Sequence, residues 1–418
     1  MISFDEQEFK STLPVNYVLK EGKDQKDYLI VMFTGFGEQK YSNISTLDNI
    51  DCHKLFIADS YGPHGSYYIG RGMSFDFESS VAALIFYISR KLGVAQENII
   101  CGGFSKGGSA ALYFSLKYNL GHGVAGAPQI HIGNYIKDSS PETANYLLGS
   151  GEEWEGNLKK SNGLILELLE EDSLVNLHIF TSEKDNHFQP HIMPFLEKTE
   201  AHEKKVNMTQ MNELHSQGDL AKVFPDYFLK KLLNIMYGIT LENLEISSLG
   251  NNVWKFNLDL GKKPPGVKSS IVFKSSSSNK DKKIHFEGEY QFDLNEFVQK
   301  KPEIFNIHLV LSYEHRELLS YQIKEVLLGK GLVYEGSSIN YENGELNFKV
   351  NINQTNSLKF AFYIKRNGKV IEKVLYQNSN SIKYKVPTKG TYQISYFIKT
   401  DSEEMLIEQS DSVHINNI

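Results

Sequence analysis

One short motif combines the residue types that a nucleophilic serine requires. Gly103-Phe104-Ser105-Lys106-Gly107 lies directly between a strand pattern that ends at Cys101 and a helix pattern that begins near Gly108. A serine on a tight strand-to-helix turn needs glycine neighbours, because the backbone there is strained and adjacent chains leave no room for side chains. The placement therefore predicts that Ser105 attacks an acyl carbon. A plain glycine-rich turn is the alternative.

A base and an orienting acid should follow such a serine, and both are found. Asp185 comes just after the strand pattern Asn176–Thr181, and His215 comes just after Val206–Met211. Since the carboxyl ends of parallel strands meet at one edge of a sheet, we expect the three side chains to converge there. His215 would take the proton from Ser105, and Asp185 would fix the tautomer of the imidazole.

Other acids and histidines compete for these roles. Glu183 is the rival acid, whereas Asp172 precedes its strand and falls at the opposite edge of the sheet. His187 and His191 give the string D-x-H-x-x-x-H, which also suggests a metal site. Because Pro190 interrupts the helical spacing that two such ligands would need, we predict no metal, and either histidine can line the pocket instead.

An oxyanion site needs backbone N–H donors beside the serine. The loop Thr34–Gly37 follows the apolar run Tyr28–Thr34, and its glycines let the backbone approach a ligand. We predict that the amide of Phe36, or of its neighbour Gly35, and the amide of Lys106 are the donors.

A second loop, Asp59–Gly72, follows the apolar run Lys54–Ala58 and belongs to the same edge. Its aromatic, histidine and arginine side chains lie among glycines, which suits a polar or sugar-like ligand better than a lipid chain. The alternative is that its paired tyrosines pack the domain. The predicted substrate-binding residues, with one histidine from beyond this loop, are Tyr61, His64, Tyr67, Tyr68, Arg71 and His187.

Two periodicities divide the chain. Up to Gly238, buried strand patterns alternate with helix patterns, which predicts an α/β fold with a mostly parallel sheet and helices on both faces. Two helices, near residues 143–148 and 158–169, are either an inserted cap or an ordinary crossover. After Gly238, short alternating segments separated by turns predict an all-β region, in which the polar run Lys274–Lys283 is a solvated loop.

The all-β region also contains an internal sequence repeat. The segment Phe305–Val326 is similar to Tyr392–Val413, which predicts two duplicated β-sandwiches. We therefore predict three domains, at residues 1–238, 239–329 and 330–418.

Composition narrows the function classes. The chain has 418 residues and a net charge of −7, and no stretch concentrates the cations that nucleic acid binding requires. No apolar run is long enough to span a membrane, and the acidic N-terminus lacks the order of a signal peptide. The two cysteines have no metal-ligand spacing. These observations predict a cytoplasmic protein that needs no metal.

Taken together, residues 28–238 resemble an α/β-hydrolase domain with a Ser-His-Asp triad. The strings GFSKGG, DSYGPHGSYYIGRG and GAPQ (residues 126–129) are similar to those of bacterial surface-glycan enzymes. They resemble in particular the glycan O-acetyltransferases of the accessory Sec system and of capsule loci, several of which are cytoplasmic. The tyrosine-bearing tail resembles Ig-like modules appended to glycan-processing enzymes.

This resemblance implies a serine esterase or O-acyltransferase that acts on a carbohydrate or cell-surface glycan through an acyl-enzyme. No cofactor is expected, except acetyl-CoA as the acyl donor if the enzyme is a transferase. The C-terminal modules would bind protein partners, with glycan binding and subunit pairing as the alternatives. The alternative from another class is a non-catalytic hydrolase-fold protein in a glycan synthesis or export assembly.

Overall fold

The computed structural model describes residues 5–37, 41–250, 253–275, 281–293, 302–353 and 356–416. Residues 276–280 of the predicted solvated loop lie outside these ranges. The chain divides into two compact units, Met1–Gly238 and Ile239–Ile418.

The first unit alternates strands and helices. Its strands are β1 (Glu6–Phe9), β2 (Val15–Lys20), β3 (Leu29–Phe33), β4 (His53–Ile57), β5 (Ile99–Phe104), β6 (His122–Gly126), β7 (Asn176–Thr181) and β8 (Val206–Gln210). Its helices are α1 (Ile44–Leu47), α2 (Asp76–Leu92), α3 (Lys106–Lys117), α4 (Ile132–Ser139), α5 (Pro141–Leu148), α6 (Trp154–Leu168), α7 (Met193–Ala201) and α8 (Gln217–Tyr237).

The eight strands form one sheet in the order β1-β2-β4-β3-β5-β6-β7-β8. The strands from β3 to β8 run parallel, whereas β1 and β2 pair antiparallel at one edge. All five residues of β3 (Leu29–Phe33) are buried, as a central parallel strand requires.

Helices cover both faces of this sheet. A Cβ on Gly102 would meet the ring of Phe228 in α8, whereas a Cβ on Gly103 would meet the backbone of Gly107 in α3. Successive residues of a strand point to opposite faces, so α3 and α8 lie on opposite sides of β5. The predicted α/β class, with antiparallel sheets after it, is confirmed.

The segment between β6 and β7 contains three helices, of which α5 and α6 match the two predicted ones. Both α4 and α5 pack against α6, and α6 packs against α3. Because β6 and β7 are neighbouring parallel strands, these helices form the crossover between them.

The second unit is all-β. Its strands are β9 (Asn243–Gly250), β10 (Val253–Asp259), β11 (Val267–Ser275), β12 (Lys282–Phe286), β13 (Glu289–Asp293), β14 (Glu303–Tyr313), β15 (Arg316–Leu328), β16 (Tyr334–Glu342), β17 (Glu345–Ile352), β18 (Leu358–Arg366), β19 (Lys369–Gln377), β20 (Ser381–Lys385), β21 (Gly390–Thr400), β22 (Met405–Gln409) and β23 (Val413–Ile415).

The two halves of this unit repeat one strand order. In the first half, β13-β10-β9 form one sheet and β12-β11-β14-β15 another. In the second half, β16-β17-β20 and β19-β18-β21-β22 repeat the arrangement, and β23 pairs with β21. In each half the first, second and fifth strands therefore share one sheet, and the third, fourth, sixth and seventh strands share the second.

The two halves also share apolar core. Ile304, Leu327 and Leu332 belong to the same buried cluster as Phe348 and Phe360 of the second half. The main-chain N–H of Ile304 donates to the carboxylate of Glu404 at 3.1 Å. The two halves form one compact unit for this reason, and the domain boundary at 329/330 stays a prediction.

Tyrosines of the second half pack its core. Tyr392 is fully buried, and its hydroxyl donates to the carbonyl of Thr388 at 2.6 Å. Tyr396 is also buried and donates to the carboxylate of Glu408 at 2.7 Å. These two rings are structural and do not face solvent.

Within the described ranges, no helix combines the length and the hydropathy that crossing a bilayer requires.

We predict that Tyr392→Phe lowers the free energy of unfolding of the second unit by about 1 kcal/mol, because it removes one hydrogen bond from a buried ring. Tyr290→Phe is the control, since Tyr290 is 40% exposed. Urea unfolding followed by hydrogen exchange of peptides from β21 would measure the change. An equal loss in both variants would mean that the bond to Thr388 contributes nothing specific.

Candidate active site

Ser105 occupies the strained turn that its glycines predicted. It lies between β5 and α3 with φ 56° and ψ −122°, and its N–H donates to the carbonyl of Gly126 at 2.7 Å. A Cβ on Gly103 would lie 2.3 Å from the carbonyl carbon of Gly107, and one on Gly107 would lie 2.5 Å from the carbonyl oxygen of Phe33. Both positions therefore require glycine, and together they fix the serine at the carboxyl edge of the sheet.

The loop after β3 passes beside this turn. A Cβ on Gly35 would lie 3.7 Å from the carbonyl oxygen of Phe104, and Gly35 and Phe36 are both partly exposed. Lys106 is the first residue of α3, so its N–H has no acceptor within the helix. The predicted oxyanion donors are Gly35 or Phe36 in the loop after β3 and Lys106 at the start of α3. The structure places this loop beside the start of α3. The role of these donors stays a prediction.

Two carboxamides contact the Ser105 hydroxyl. Nε2 of Gln129 lies 2.9 Å from Ser105 Oγ, and Nε2 of Gln217 lies 3.1 Å from it. Gln129 follows β6 and is fully buried, while Gln217 opens α8 and is partly exposed. The sequence motifs did not assign either residue to the site, although Gln129 lies in a loop and Gln217 at a helix start on the predicted edge.

Asp185 is buried beside a histidine, but not beside the predicted base. Its Oδ1 lies 3.2 Å from Nδ1 of His187. Its Oδ2 is buried and has no hydrogen-bond partner among the described residues. His215 is exposed, and within the described part of the chain no hydrogen bond joins it to Asp185 or Ser105. Its loop still borders the serine, because Gln217 is only two residues further on.

The rival residues occupy other positions. Glu183 is exposed and accepts a bond from the side chain of Gln210 at 3.1 Å. Asp172 is exposed before β7, at the far edge of the sheet. His191 is buried, and its Nδ1 accepts the N–H of His131 at 3.3 Å. Burial lowers the pKa of His191 to about 4, so this imidazole is neutral at pH 7.

The side chain of Lys106 turns away from the serine into a buried ion pair. Its Nζ lies 2.8 Å from Oδ2 of Asp59, and both side chains are almost completely buried. The Asp59 carboxylate also accepts the N–H and the hydroxyl of Ser66 and the N–H of Tyr68. A Cβ on Gly65, at φ +88°, would lie 2.2 Å from Lys106 Nζ. The 59–72 loop is therefore folded around this pair.

The predicted substrate-binding tyrosines of this loop lie in the domain core or its margin. Tyr68 is buried, donates to the carbonyl of Ile57 at 2.9 Å and accepts the N–H of Thr34 at 2.7 Å, so its hydroxyl supports the backbone. Tyr67 is buried with its hydroxyl 3.5 Å from Oε1 of Gln129. Tyr61 donates to the carbonyl of Pro14.

Arg71 is exposed at the end of the 59–72 loop, and His64 is half-buried within it. The ring of His64 lies 5.1 Å from that of Phe36, beside the predicted oxyanion loop.

Four partly exposed rings connect the predicted oxyanion loop to Asp185. Tyr135 of α4 lies between Phe36 and His187. The centroid of its ring is 6.5 Å from that of Phe36 and 5.5 Å from that of His187. We name Phe36, His64, Tyr135 and His187 the aromatic wall. The predicted pocket residues His64 and His187 thus share one surface, and Tyr135 was not predicted.

The rings of His187 and His191 stack with centroids 5.8 Å apart. The described residues hold no group of three or more His, Cys, Asp or Glu side chains arranged to bind a metal.

A comparison with protein families identifies part of this chain. Residues 17–140 match the family described as Accessory Sec system GspB-transporter. This match confirms the resemblance that the motifs predicted. The matched range contains Asp59, Ser105 and Gln129, and it ends before Asp185 and His215. No curated protein sequence matches the chain.

Among solved structures, this chain is similar to a capsule enzyme and to a glycosylation-associated complex. The capsule O-acetyltransferase of Neisseria meningitidis serogroup A is 21% identical, with 56% of this chain and 96% of that chain covered and a TM-score of 0.49. A glycosylation-associated protein complex (Gap123) from Streptococcus agalactiae is 16% identical, covering 55% and 46%, with a TM-score of 0.45.

A third structure is FphF, a fluorophosphonate-binding serine hydrolase of Staphylococcus aureus. It is 11% identical, covering 54% of this chain and 97% of that chain, with a TM-score of 0.44. Because all three TM-scores lie below 0.5, these similarities are too low to assign an activity or a substrate to this chain.

We predict that Lys106→Met lowers the free energy of unfolding by about 3–5 kcal/mol, because it leaves the Asp59 carboxylate buried and unpaired. Lys198→Met, which breaks an exposed pair with Glu170, should cost less than about 0.5 kcal/mol. Chemical denaturation would compare them. Adding Asp59→Asn to Lys106→Met should recover part of the loss, and no recovery would contradict this account.

A second prediction concerns pH. The pKa of His191 is lowered to about 4 in the folded chain, against about 6.5 when unfolded. Between these values only the unfolded state binds the proton, so stability is complete above pH ~6.5 and falls towards pH 4. His191→Asn keeps an acceptor near the Nδ1 position and should reduce this slope by up to ~1.4 kcal/mol per pH unit. An unchanged slope of unfolding free energy against pH would disprove it.

Proposed function

We propose that the first unit is a serine enzyme that carries an acyl group on Ser105 and passes it to water or to a carbohydrate hydroxyl. The observation that carries this proposal is the strained Ser105 backbone at the end of β5, with φ 56°. A non-glycine residue in this conformation costs on the order of 1–3 kcal/mol, and such strain clusters at functional sites. The family match over residues 17–140 includes this turn.

In the proposed acylation step, Ser105 Oγ adds to the acyl carbon while a base takes its proton. The carbonyl electron pair moves to the oxygen, which the N–H groups of Lys106 and of Phe36 or Gly35 stabilise. The intermediate then expels the leaving group, which takes the proton from the base. An acyl ester of Ser105 remains, and water or a sugar hydroxyl releases the acyl group by the reverse sequence.

Asp185 is the acid of this proposal, and His215 is its base. Asp185 Oδ1 contacts His187, while the buried Oδ2 has no partner among the described residues and can accept an N–H from a second imidazole. The loop of His215 borders Ser105 through Gln217. His187 is the alternative base, because it already has the acid contact.

The aromatic wall supports a carbohydrate as the acceptor. Its rings are partly exposed and stand between the oxyanion loop and Asp185. Sugars present apolar C–H faces and hydroxyl edges, which suits rings interspersed with imidazole nitrogens. Acetyl-CoA as the acyl donor and a cytoplasmic location stay predictions.

We also propose that the second unit consists of Ig-like modules, while their binding of protein partners stays a prediction. The repeated strand order of its halves and the bond from Tyr392 to the Thr388 carbonyl support this assignment, since a tyrosine of this kind is typical of Ig-like sandwiches.

A non-catalytic role is the second candidate. The observation that favours it is the exposed His215, which has no bond to Ser105 or Asp185 within the described residues.

A fluorophosphonate probe distinguishes the two functions. We predict stoichiometric labelling of Ser105 in the wild-type chain and none in Ser105→Ala. Asp185→Asn should slow hydrolysis of p-nitrophenyl acetate by roughly 10³- to 10⁴-fold, as loss of the acid does in other triads. No labelling of folded wild-type protein would favour the non-catalytic role.

Comparing two histidine variants in the same assays identifies the base. His215→Asn should reduce the rate of labelling at least a hundredfold, whereas His187→Asn should leave that rate nearly unchanged. The reverse result would assign the base to His187.

A further inference from the structure

The hydroxyl of Ser105 accepts two hydrogen bonds at once. Nε2 of Gln129 and Nε2 of Gln217 lie 2.9 and 3.1 Å from Oγ. A hydroxyl oxygen has two lone pairs and one proton, so the two donors occupy both lone pairs. The proton is then directed to the remaining side, where a base has to be.

The amide of Gln129 has one orientation that satisfies its neighbours. Its Nε2 also lies 3.5 Å from the carbonyl oxygen of Ala127, which can only accept. Its Oε1 lies 3.5 Å from the hydroxyl of Tyr67, and burial raises the pKa of Tyr67, so this hydroxyl stays protonated and donates. The NH₂ group therefore faces Ser105.

The main chain of Gln129 is equally fixed. Its N–H donates to Ser109 Oγ at 2.9 Å, and Ser109 Oγ donates to its carbonyl at 2.8 Å. Gln217 differs, because it is partly exposed on the first turn of α8. Gln129 is thus a rigid donor, and Gln217 is a donor that can move.

We propose that Gln129 and Gln217 form a carboxamide clamp that stabilises Ser105 Oγ as the leaving group when the acyl-enzyme breaks down. This inference rests on the proposed function. In that step the acceptor O–H adds to the acyl carbon and gives its proton to the base. The bond from the acyl carbon to Oγ then breaks, its electron pair stays on Oγ, and the base returns a proton to Oγ.

The clamp acts more strongly on deacylation than on acylation. Before acylation the two donors already bind a hydroxyl, which is a good acceptor, and Gln217 has to release one lone pair so that Oγ can attack the acyl carbon. In the acyl-enzyme Oγ is an ester oxygen, which is a weak acceptor, and it becomes a strong one only as the bond breaks. Only an interaction that strengthens towards the transition state accelerates a step. Removing a donor should therefore slow deacylation selectively.

The test compares wild type, Gln129→Met, Gln217→Met and Ser105→Ala with p-nitrophenyl acetate. Stopped-flow release of nitrophenolate gives the acylation rate, and intact-protein mass gives the lifetime of the acetyl adduct. Gln129→Met should slow deacylation roughly 10- to 100-fold, the range for a hydrogen bond to a group that becomes charged, and change acylation less than about threefold. Gln189→Met is the control, since Gln189 is exposed.

Gln217→Met provides a second test if Gln129→Met fails to fold, because Gln217 is partly exposed. This variant should also lengthen the lifetime of the acetyl adduct. A Ser105-dependent adduct whose lifetime is unchanged in these variants, or equal losses in both rates, would overturn the clamp alone. A wild-type chain that forms no Ser105-dependent adduct would overturn the proposed function and the clamp with it.

Discussion

The buried ion pair between Lys106 and Asp59 is the interaction on which the geometry of the site depends. Asp59 lies two residues after the end of β4, and Lys106 directly follows Ser105, so the pair links the ends of β4 and β5. Through Asp59 it holds the N–H of Tyr68, and the Tyr68 hydroxyl in turn binds the N–H of Thr34. The position of the Thr34–Gly37 loop is thereby coupled to the residue next to Ser105.

Burying the Lys106–Asp59 pair costs free energy, and the hydrogen bonds around the pair offset that cost. Each buried charge carries a desolvation penalty of several kcal/mol, which is offset here because Asp59 accepts N–H and O–H groups as well as the lysine. The strain at Ser105 adds to the cost. Rigid surroundings of this kind hold backbone N–H groups in place. Fixed N–H donors stabilise a negative charge that develops in a transition state.

Features that depend on the local spacing of residues could be predicted from the sequence. The turn at Ser105 and the alternation of strands and helices follow from glycines and periodicity within short windows. The contacts of Gln129 and Gln217 were not predicted, because a carboxamide carries no distinctive signal and Gln217 is 112 residues from the serine. The Lys106 side chain was not expected inside, since lysine is rarely buried. The roles of Tyr67 and Tyr68 depended on burial, which the glycine-rich loop did not reveal.

The shared core of the second unit has a consequence for how this chain can be shortened. Ile304 and Leu327 come from the first half, yet they are buried with residues of the second, and Leu332 joins them from the connection. A polypeptide ending at residue 329 would expose Ile304 and Leu327 to water and present an apolar patch. Proteolysis between the halves should therefore release fragments that aggregate or remain associated, instead of two independent modules.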